Sequence, residues 1–542
     1  MKKRIILALL VFVGIIGTLL VLSNKKDEAQ LKKASTQDVL NFFNKPKNEV
    51  DLPVTGTIEN QYQLDDVDES DFVKYDAQRT YVVDYQKLYI IDNEKEYVIS
   101  EIAFDNFMPT ELLLTDSQII LLGIKNISLE VEIIPGRTFP YSNSECVIYI
   151  LDKNDYSITR YLAFDGSYYV TSALVRNDFY FVLSNHQIFN PETKTFIYPK
   201  YFDSLYENQS LSQDELYLSE AGDNVYAIRL LGKLNLEKKE PLELKGFIGV
   251  EGIVKIAQEK LIMVSALYDQ ISKIAIHILS LNHFQYDGYL LIDGYLYNAY
   301  AIDIYQNYLR VATTYYQNQQ PKNLLYNISL ADFKVKAVKE IAPAETVYAI
   351  RFDKNYCYIS TFLYVDPLLL FDFSNPRQIQ MVKQVELEFI CEYLQIRDDS
   401  IFALGRKVDE DMISQGLVMA LFDKTDLSIQ DTYEILEPYV DTEVKYNEKA
   451  LAQVEDKMIF PMYKEKGQSL QIFSVQDTIE SIQEIEIVDD YLLRTIVLDT
   501  KILCISTSKV YSYNLKTFQL LQTTTYKKIE NNRATDYFFI DS

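Results

Sequence analysis

Along most of this chain apolar side chains recur at every second position, the period of a strand with one buried face. The stretch from Ile341 to Pro376, IAPAETVYAIRFDKNYCYISTFLYVDPLLLFDFSNP, shows the pattern most fully. Val347, Ala349 and Phe352, then Cys357 and Ile359, alternate on either side of the polar turn Asp353-Lys354-Asn355. A third strand runs from Pro367 to Phe373, and Ser374-Asn375-Pro376 stops it. The same hairpin returns as SALVRNDFYFVLS, VKIAQEKLIMVS, AIDIYQNYLRVATT, YLQIRDDSIFALG, LAQVEDKMIFPM and TIVLDTKILCIS. With two weaker copies near Asp76 and Asp116, the turns fall near 76, 116, 178, 258, 306, 354, 398, 456 and 500. A third strand ending in a polar turn follows (KLYIIDN, CVIYILDKN, IAIHILSLN, LVMALFDKTD, VYSYNLKT), and a fourth leads outward.

Four strands in each repeat of roughly 40 to 50 residues predict an all-β chain folded as a single large β-propeller of eight or nine four-stranded blades. The predicted domain covers residues 61–542. No segment of it sustains a helical period, which excludes a helical repeat, and a sandwich needs far fewer strands. One blade cannot bury both its faces, so the array is expected to close on itself.

Two segments precede it. In residues 1–23, Lys2, Lys3 and Arg4 stand before an uncharged run of 18 residues, Ile5 to Leu22. At ~1.5 Å per residue that run crosses most of a bilayer core. It predicts a signal anchor or transmembrane helix, a single-pass cell-membrane location, and a C-terminal domain outside the cell. A cleaved signal peptide is the alternative, although Val21-Leu22-Ser23 is a poor cleavage site. Residues 24–60 read as a polar stalk with one short helix, Ser35 to Asn44. Ser35 and Asp38 have capping-box spacing, and Val39, Leu40 and Phe43 form a stripe expected to dock on the main domain. Pro53 and Gly56 end the segment.

Composition sharpens the picture. The 43 tyrosines and 28 phenylalanines against 16 glycines suit pleated, half-buried strands. A tyrosine-lined carbohydrate site is the more specific reading of the same count. The net charge of −25 repels phosphate backbones and argues against nucleic acid as a partner. Cys146, Cys357, Cys391 and Cys504 form no CxxC pair and sit in apolar runs, as buried thiols do; one long-range disulfide stays open.

Several stretches resemble a family of secreted bacterial and archaeal proteins that carry a β-propeller domain distantly related to WD repeats. ENQYQLDDVDESDFVKYD (Glu59 to Asp76) is similar to the family's opening segment, and Leu309 to Thr314 to a second. IAPAETVYAIRF keeps Glu345 and Arg351; TFLYVDPLLLFDFSNP keeps Asp366, Pro367, Asp372 and Pro376; GLVMALFDKTD matches a further segment. The chain departs from the family at Phe389 to Gln395, where a glycine and a histidine are missing, and at Ala344, which replaces a glycine. The resemblance implies a propeller with an extracellular address and assigns no reaction.

Catalytic motifs are absent. The three histidines, His186, His277 and His283, form no HExxH, and there is no G-x-S-x-G and no P-loop. Two polar sets remain. Asp65, Asp66, Asp68, Glu69 and Asp71 lie within seven residues; Asp66, Asp68, Glu69 and Asp71 are candidate Ca²⁺ ligands, although the spacing is not that of an EF-hand. The alternative is that they bind backbone amides or Lys74 where the chain joins the first hairpin. Arg310, Glu345, Arg351 and Asp366 are the candidate ligand-binding set, with ties between blades as the alternative. The functional expectation is a membrane-anchored binding or scaffold module for a cell-surface protein or wall glycan. The other reading is a hydrolase or lyase using carboxylates in the channel.

Overall fold

The computed structural model describes residues 29–44 and 67–527 except 135–136, 191, 221–226, 268–272, 363–365, 466 and 488–489. Strands dominate these residues, and the chain divides into two compact units. The first takes residues 1–70 and 106–295, the second 71–105 and 296–542.

The second unit is built from four-stranded antiparallel sheets at 73–103, 302–341, 346–387, 390–435, 452–487 and 492–525. In each the strands pair in chain order. The first is the inner strand, and the fourth is solvent-facing, as in Gln378–Leu387 and Ile429–Ile435. The central strands carry apolar residues on both faces. In Ser400–Val408, Ile401 and Ala403 pack toward the preceding sheet while Phe402 and Leu404 pack toward the following one. This double burial explains why the hairpins read as nearly continuous apolar runs.

The turn between third and fourth strands repeats one local device. Asp92, Asp152, Asp423 and Asn514 each accept from a backbone N–H two residues on, at 2.7 to 3.0 Å. The residue four positions on (Glu96, Tyr156, Leu427, Phe518) closes the turn onto the carbonyl of the first at 2.8 to 3.1 Å. That closing residue is left-handed, with φ between 56° and 62°. Leu427 is fully buried there, and burial worth ~1.5–3 kcal/mol offsets the ~1–2 kcal/mol of a left-handed side chain. Just beyond, the pairing register shifts by a bulge in eight of the sheets, for example between Leu370 and Phe371 and between Leu421 and Phe422. A bulge twists an exposed edge away from other strands and so limits edge-to-edge pairing.

The sheet 73–103 packs on the sheet 492–525. Val73, Val82, Tyr89 and Ile91 share a cluster with Ile496, Leu503, Ile505 and Val510. Charge pins the same contact: Arg494 holds Asp71 in a two-point pair, Nη2–Oδ1 2.7 Å and Nε–Oδ2 3.1 Å. Lys527 meets Asp84 at 2.6 Å, and Lys501 reaches the Glu96 carboxylate and the Asn93 carbonyl.

The first unit is less regular. It contains a four-stranded sheet over 254–293 and a six-stranded sheet that includes the long strands Gln118–Ile134 and Arg137–Asp152. A seven-stranded sheet recruits Lys32–Lys33 at one edge and Asp68–Glu69 at the other. The helix α1, Thr36–Phe43, has the expected Ser35/Asp38 capping box. Val39 and Phe43 are buried with Leu40 packed beside them, and Phe42 is buried as well. The Thr36 and Tyr198 hydroxyls meet at 2.8 Å, and Phe43 lies 5.3 Å from Phe189. Residues 29–44 of the expected stalk are thus woven into this unit. A buried ion pair, Arg160–Asp203 at 2.5 Å, ties two strands of the six-stranded sheet. All four cysteines are free and buried.

The single-pass membrane localisation is corrected. Among the described residues no helix is long and apolar enough to cross a membrane. The α-helix they contain has 8 residues, ~12 Å against the ~30 Å of a bilayer core, and its apolar side is used within the first unit. The run Ile5 to Leu22 lies outside the described residues.

Two stability tests follow from this packing. Arg494→Ala leaves Asp71 half-buried without its partner and is expected to cost ~3–5 kcal/mol in urea unfolding. Arg494→Met with Asp71→Leu should recover most of that, and an unchanged midpoint in the single variant would show that the pair does not stabilise this contact. His277 is fully buried on Tyr289, and burial pulls its pKa down to about 3. Its Nδ1 is 3.4 Å from the Tyr286 hydroxyl. Between pH 6.5 and 3 the unfolded chain takes up a proton that the folded one refuses. His277 therefore contributes a stability loss of up to ~1.4 kcal/mol per pH unit as pH falls through that window, and none above it. The pH 7 to 5 shift in unfolding midpoint should shrink in His277→Gln; an identical shift in both proteins would contradict this.

Candidate functional site

In the second unit the starts of the inner strands gather polar and aromatic side chains by two devices. The first is a bulge. Between the pairs Val347↔Thr361 and Ala349↔Ser360, Tyr348 is the extra residue; between Cys391↔Gly405 and Tyr393↔Leu404 it is Glu392. Leu493 has the same place in the last sheet. A bulge re-aims one side chain without breaking the strand. Gly405 makes the second bulge feasible, because a Cβ there would lie 1.8 Å from the Ile390 carbonyl oxygen.

The second device is a short 3-10 turn placed before the inner strand. Ala299–Ala301, capped by Asn298, brings Tyr297 and Tyr300. Glu443–Lys445 and Glu448–Ala450, capped by Thr442 and Asn447, bring Asp441, Lys445, Tyr446 and Glu448.

These residues interlock. Lys445 is 5% exposed and its Nζ lies 2.7 Å from Asp441 Oδ1 and 2.9 Å from Glu392 Oε2. Arg406 Nε stands 3.4 Å from Glu392 Oε1. Arg351 lies over the Tyr300 ring at 3.5 Å and 5.4 Å from that of Tyr393, with Nη2 3.5 Å from Glu448 Oε2. The Arg351 cation thus occupies the aromatic site that the Tyr300 and Tyr393 rings form. The Tyr446 hydroxyl donates to Asp441 Oδ2 at 3.3 Å, and Lys445 Nζ is 5.6 Å from its ring.

Burial draws the Lys445 pKa down, but Glu392 and Asp441 outweigh it and the ammonium is held above its usual value. Burial, with Tyr348 and Glu392 nearby, raises the Tyr297 phenol; burial and the Asp441 and Glu392 charges raise that of Tyr446, against Lys445. At neutral pH the phenols are therefore uncharged. Arg351, Arg406 and Lys445 each face a carboxylate, while Tyr446 stays 69% and Tyr297 43% exposed. Such a surface can stack and hydrogen-bond.

Of the residues expected from sequence, Arg351 belongs to this cluster. Arg310 instead locks two sheets: it pairs with Asp303, reaches the Lys354 carbonyl, and stacks 4.8 Å from Phe352. Glu345 accepts from Thr361, and its carbonyl takes Asn323 at 2.8 Å. Asp366 opens the strand Asp366–Asn375 opposite Leu387. In the acidic run, Asp66 lies outside the described residues, and Asp68 and Glu69 pair with Leu174 and Ala173 as a short strand. Asp71 engages Arg494 with both oxygens. Among the described residues no group of three or more His, Cys, Asp or Glu side chains is placed to hold a metal. Sequence reasoning missed Tyr297, Glu392, Asp441, Lys445 and Tyr446. The available signals were the departure at Phe389 to Gln395 and the long interval between the turns near 398 and 456.

A β-propeller domain family model matches residues 52–518, and the chain belongs to that family. It is 30% identical over 219 residues to an uncharacterized protein of Archaeoglobus fulgidus, covering 38% of this chain and 33% of that one. It is 31% identical over 140 residues to one of Methanocaldococcus jannaschii, covering 25% and 22%. The chain thus spans about a third and a fifth of the length of these curated relatives. Among solved structures it is similar to apo AztD of Citrobacter koseri (12% identity, 85% and 94% covered, TM-score 0.34). It is also similar to the β-propeller domain of the Trilobed protease of Pyrococcus furiosus (10% identity, 65% and 92% covered, TM-score 0.32).

Gly405→Ala should force the Ile390 carbonyl aside and cost ~1–3 kcal/mol in urea unfolding, the range for overpacking a tight site. Full stability in that variant would show that the bulge carrying Glu392 is not set by Gly405.

Proposed function

We propose that this propeller is a binding module whose ligand docks at the inner-strand starts of the second unit. The observation that carries the reading is that the charges there neutralise one another while tyrosine rings stay open to solvent. Asp441 takes the Tyr446 hydroxyl at 3.3 Å, and tyrosines supply contact area at little entropic cost. A partner at a cell surface, protein or wall glycan, suits such a face.

The hydrolase reading needs one carboxylate to take a proton while another stays charged. Glu392, Asp441 and Glu448 each face a cation instead.

Saturation-transfer NMR with a panel of sugars, amino acids, nucleosides and short peptides tests the binding reading. At least one class should bind, and its signal should vanish in Tyr297→Ala/Tyr446→Ala with the melting temperature kept within about 2 °C, as for surface changes. No binder in any class, or binders indifferent to the double variant, would overturn it. Consumption of a panel compound would favour the hydrolase.

A further inference from the structure

We infer that the ligand of this site is an uncharged oligosaccharide, stacked on Tyr446 and Tyr297 with its hydroxyls read by Asp441 and Arg406; this rests on the binding reading above. Charge is the first argument. An anionic or cationic ligand would have to displace a partner from the ion pairs of Lys445, Arg406 or Arg351, leaving a half-buried charge uncompensated. A quaternary ammonium, which aromatic cages otherwise suit, finds the cage already occupied by the Arg351 guanidinium between Tyr300 and Tyr393.

Geometry is the second argument. Tyr446 is oriented from two sides, by a 3.3 Å hydrogen bond from its hydroxyl to Asp441 and by Lys445 5.6 Å from its ring, while the ring stays 69% exposed. A pyranose has an apolar C–H face that stacks on such a ring and equatorial hydroxyls that project from its rim. Asp441 and Arg406 are each 37% exposed along their side chains. One accepts and the other donates, and hydroxyls can do both.

Calorimetry on the full chain with neutral oligosaccharides (gluco-, manno- and chito-oligomers), their uronic acid counterparts and short peptides tests this. A neutral oligomer should bind with an affinity unchanged within about twofold between 50 and 500 mM NaCl, since no net charge is neutralised. Tyr446→Ala and Arg406→Gln should each weaken it by about tenfold or more, and Tyr446→Phe by far less. Tyr97→Ala, an exposed tyrosine at the other end of the strands, should leave it unchanged. If no sugar binds while panel compounds of another class still depend on Tyr446, the sugar assignment fails and the binding reading stands. If nothing binds at this face, both fail. A preference for acidic sugars or peptides with a steep salt dependence also overturns the assignment.

Discussion

A sheet whose central strands are apolar on both faces cannot stand alone in water, and the rest of the second unit depends on that constraint. Phe402 and Leu404 need Met458 and Phe460 of the next sheet, just as Ile401 and Ala403 need Leu368 and Leu370 of the one before. The requirement passes from sheet to sheet as far as the sheet 492–525. There the sheet 492–525 is covered by residues 73–103, more than 400 positions earlier. Apolar contact supplies the free energy of that packing but specifies it poorly. The two-point pair of Arg494 with Asp71 and the reach of Lys501 to Glu96 set the register of one sheet on the other.

The same constraint explains where variation is tolerated. Central strands are committed to two neighbours, and outer strands are kept short of further pairing by their bulges. The starts of the inner strands carry no such obligation, so a bulge or a 3-10 turn there leaves the packed faces intact. The sheets at 346–387 and 390–435 use a bulge, and those at 302–341 and 452–487 a turn. One cation, Lys445, gathers the products of both devices by joining Glu392 of a bulge to Asp441 beside a turn.

How much of this was legible in the sequence follows from which interactions are local. The repeat could be read because each hairpin's pattern is set by its own two faces and its own turn; Asp423 and Leu427 are four residues apart. The docked helix was legible for the same reason, through Ser35, Asp38 and the Val39/Phe43 stripe. The membrane location was read from residues that the structure does not describe, and the described residues supply no spanning helix. The site was largely illegible because it is assembled across sheets. Glu392 stands 53 residues from Lys445 in the chain, and nothing in either neighbourhood names the other. Arg310 and Arg351 looked alike as strand arginines. Only the partners, an adjacent Asp303 and turn carbonyl for one, and Tyr300 with Glu448 for the other, separate a sheet lock from a site residue.

Charge pairing at the inner-strand starts also has a cost that bears on function. Lys445 is taken out of water between Glu392 and Asp441. Such an arrangement is often no more stable than an apolar substitute of the same shape. Its advantage is orientation: Glu392 is re-aimed by a bulge that Gly405 must accommodate, and Asp441 is held so that its second oxygen fixes the Tyr446 hydroxyl. A packed apolar core at this place would hold the sheets equally well and would offer the Tyr446 hydroxyl no acceptor. The pairing therefore makes sense as a means of orienting polar groups around an exposed aromatic ring, at a part of the sheets where packing does not already dictate every side chain.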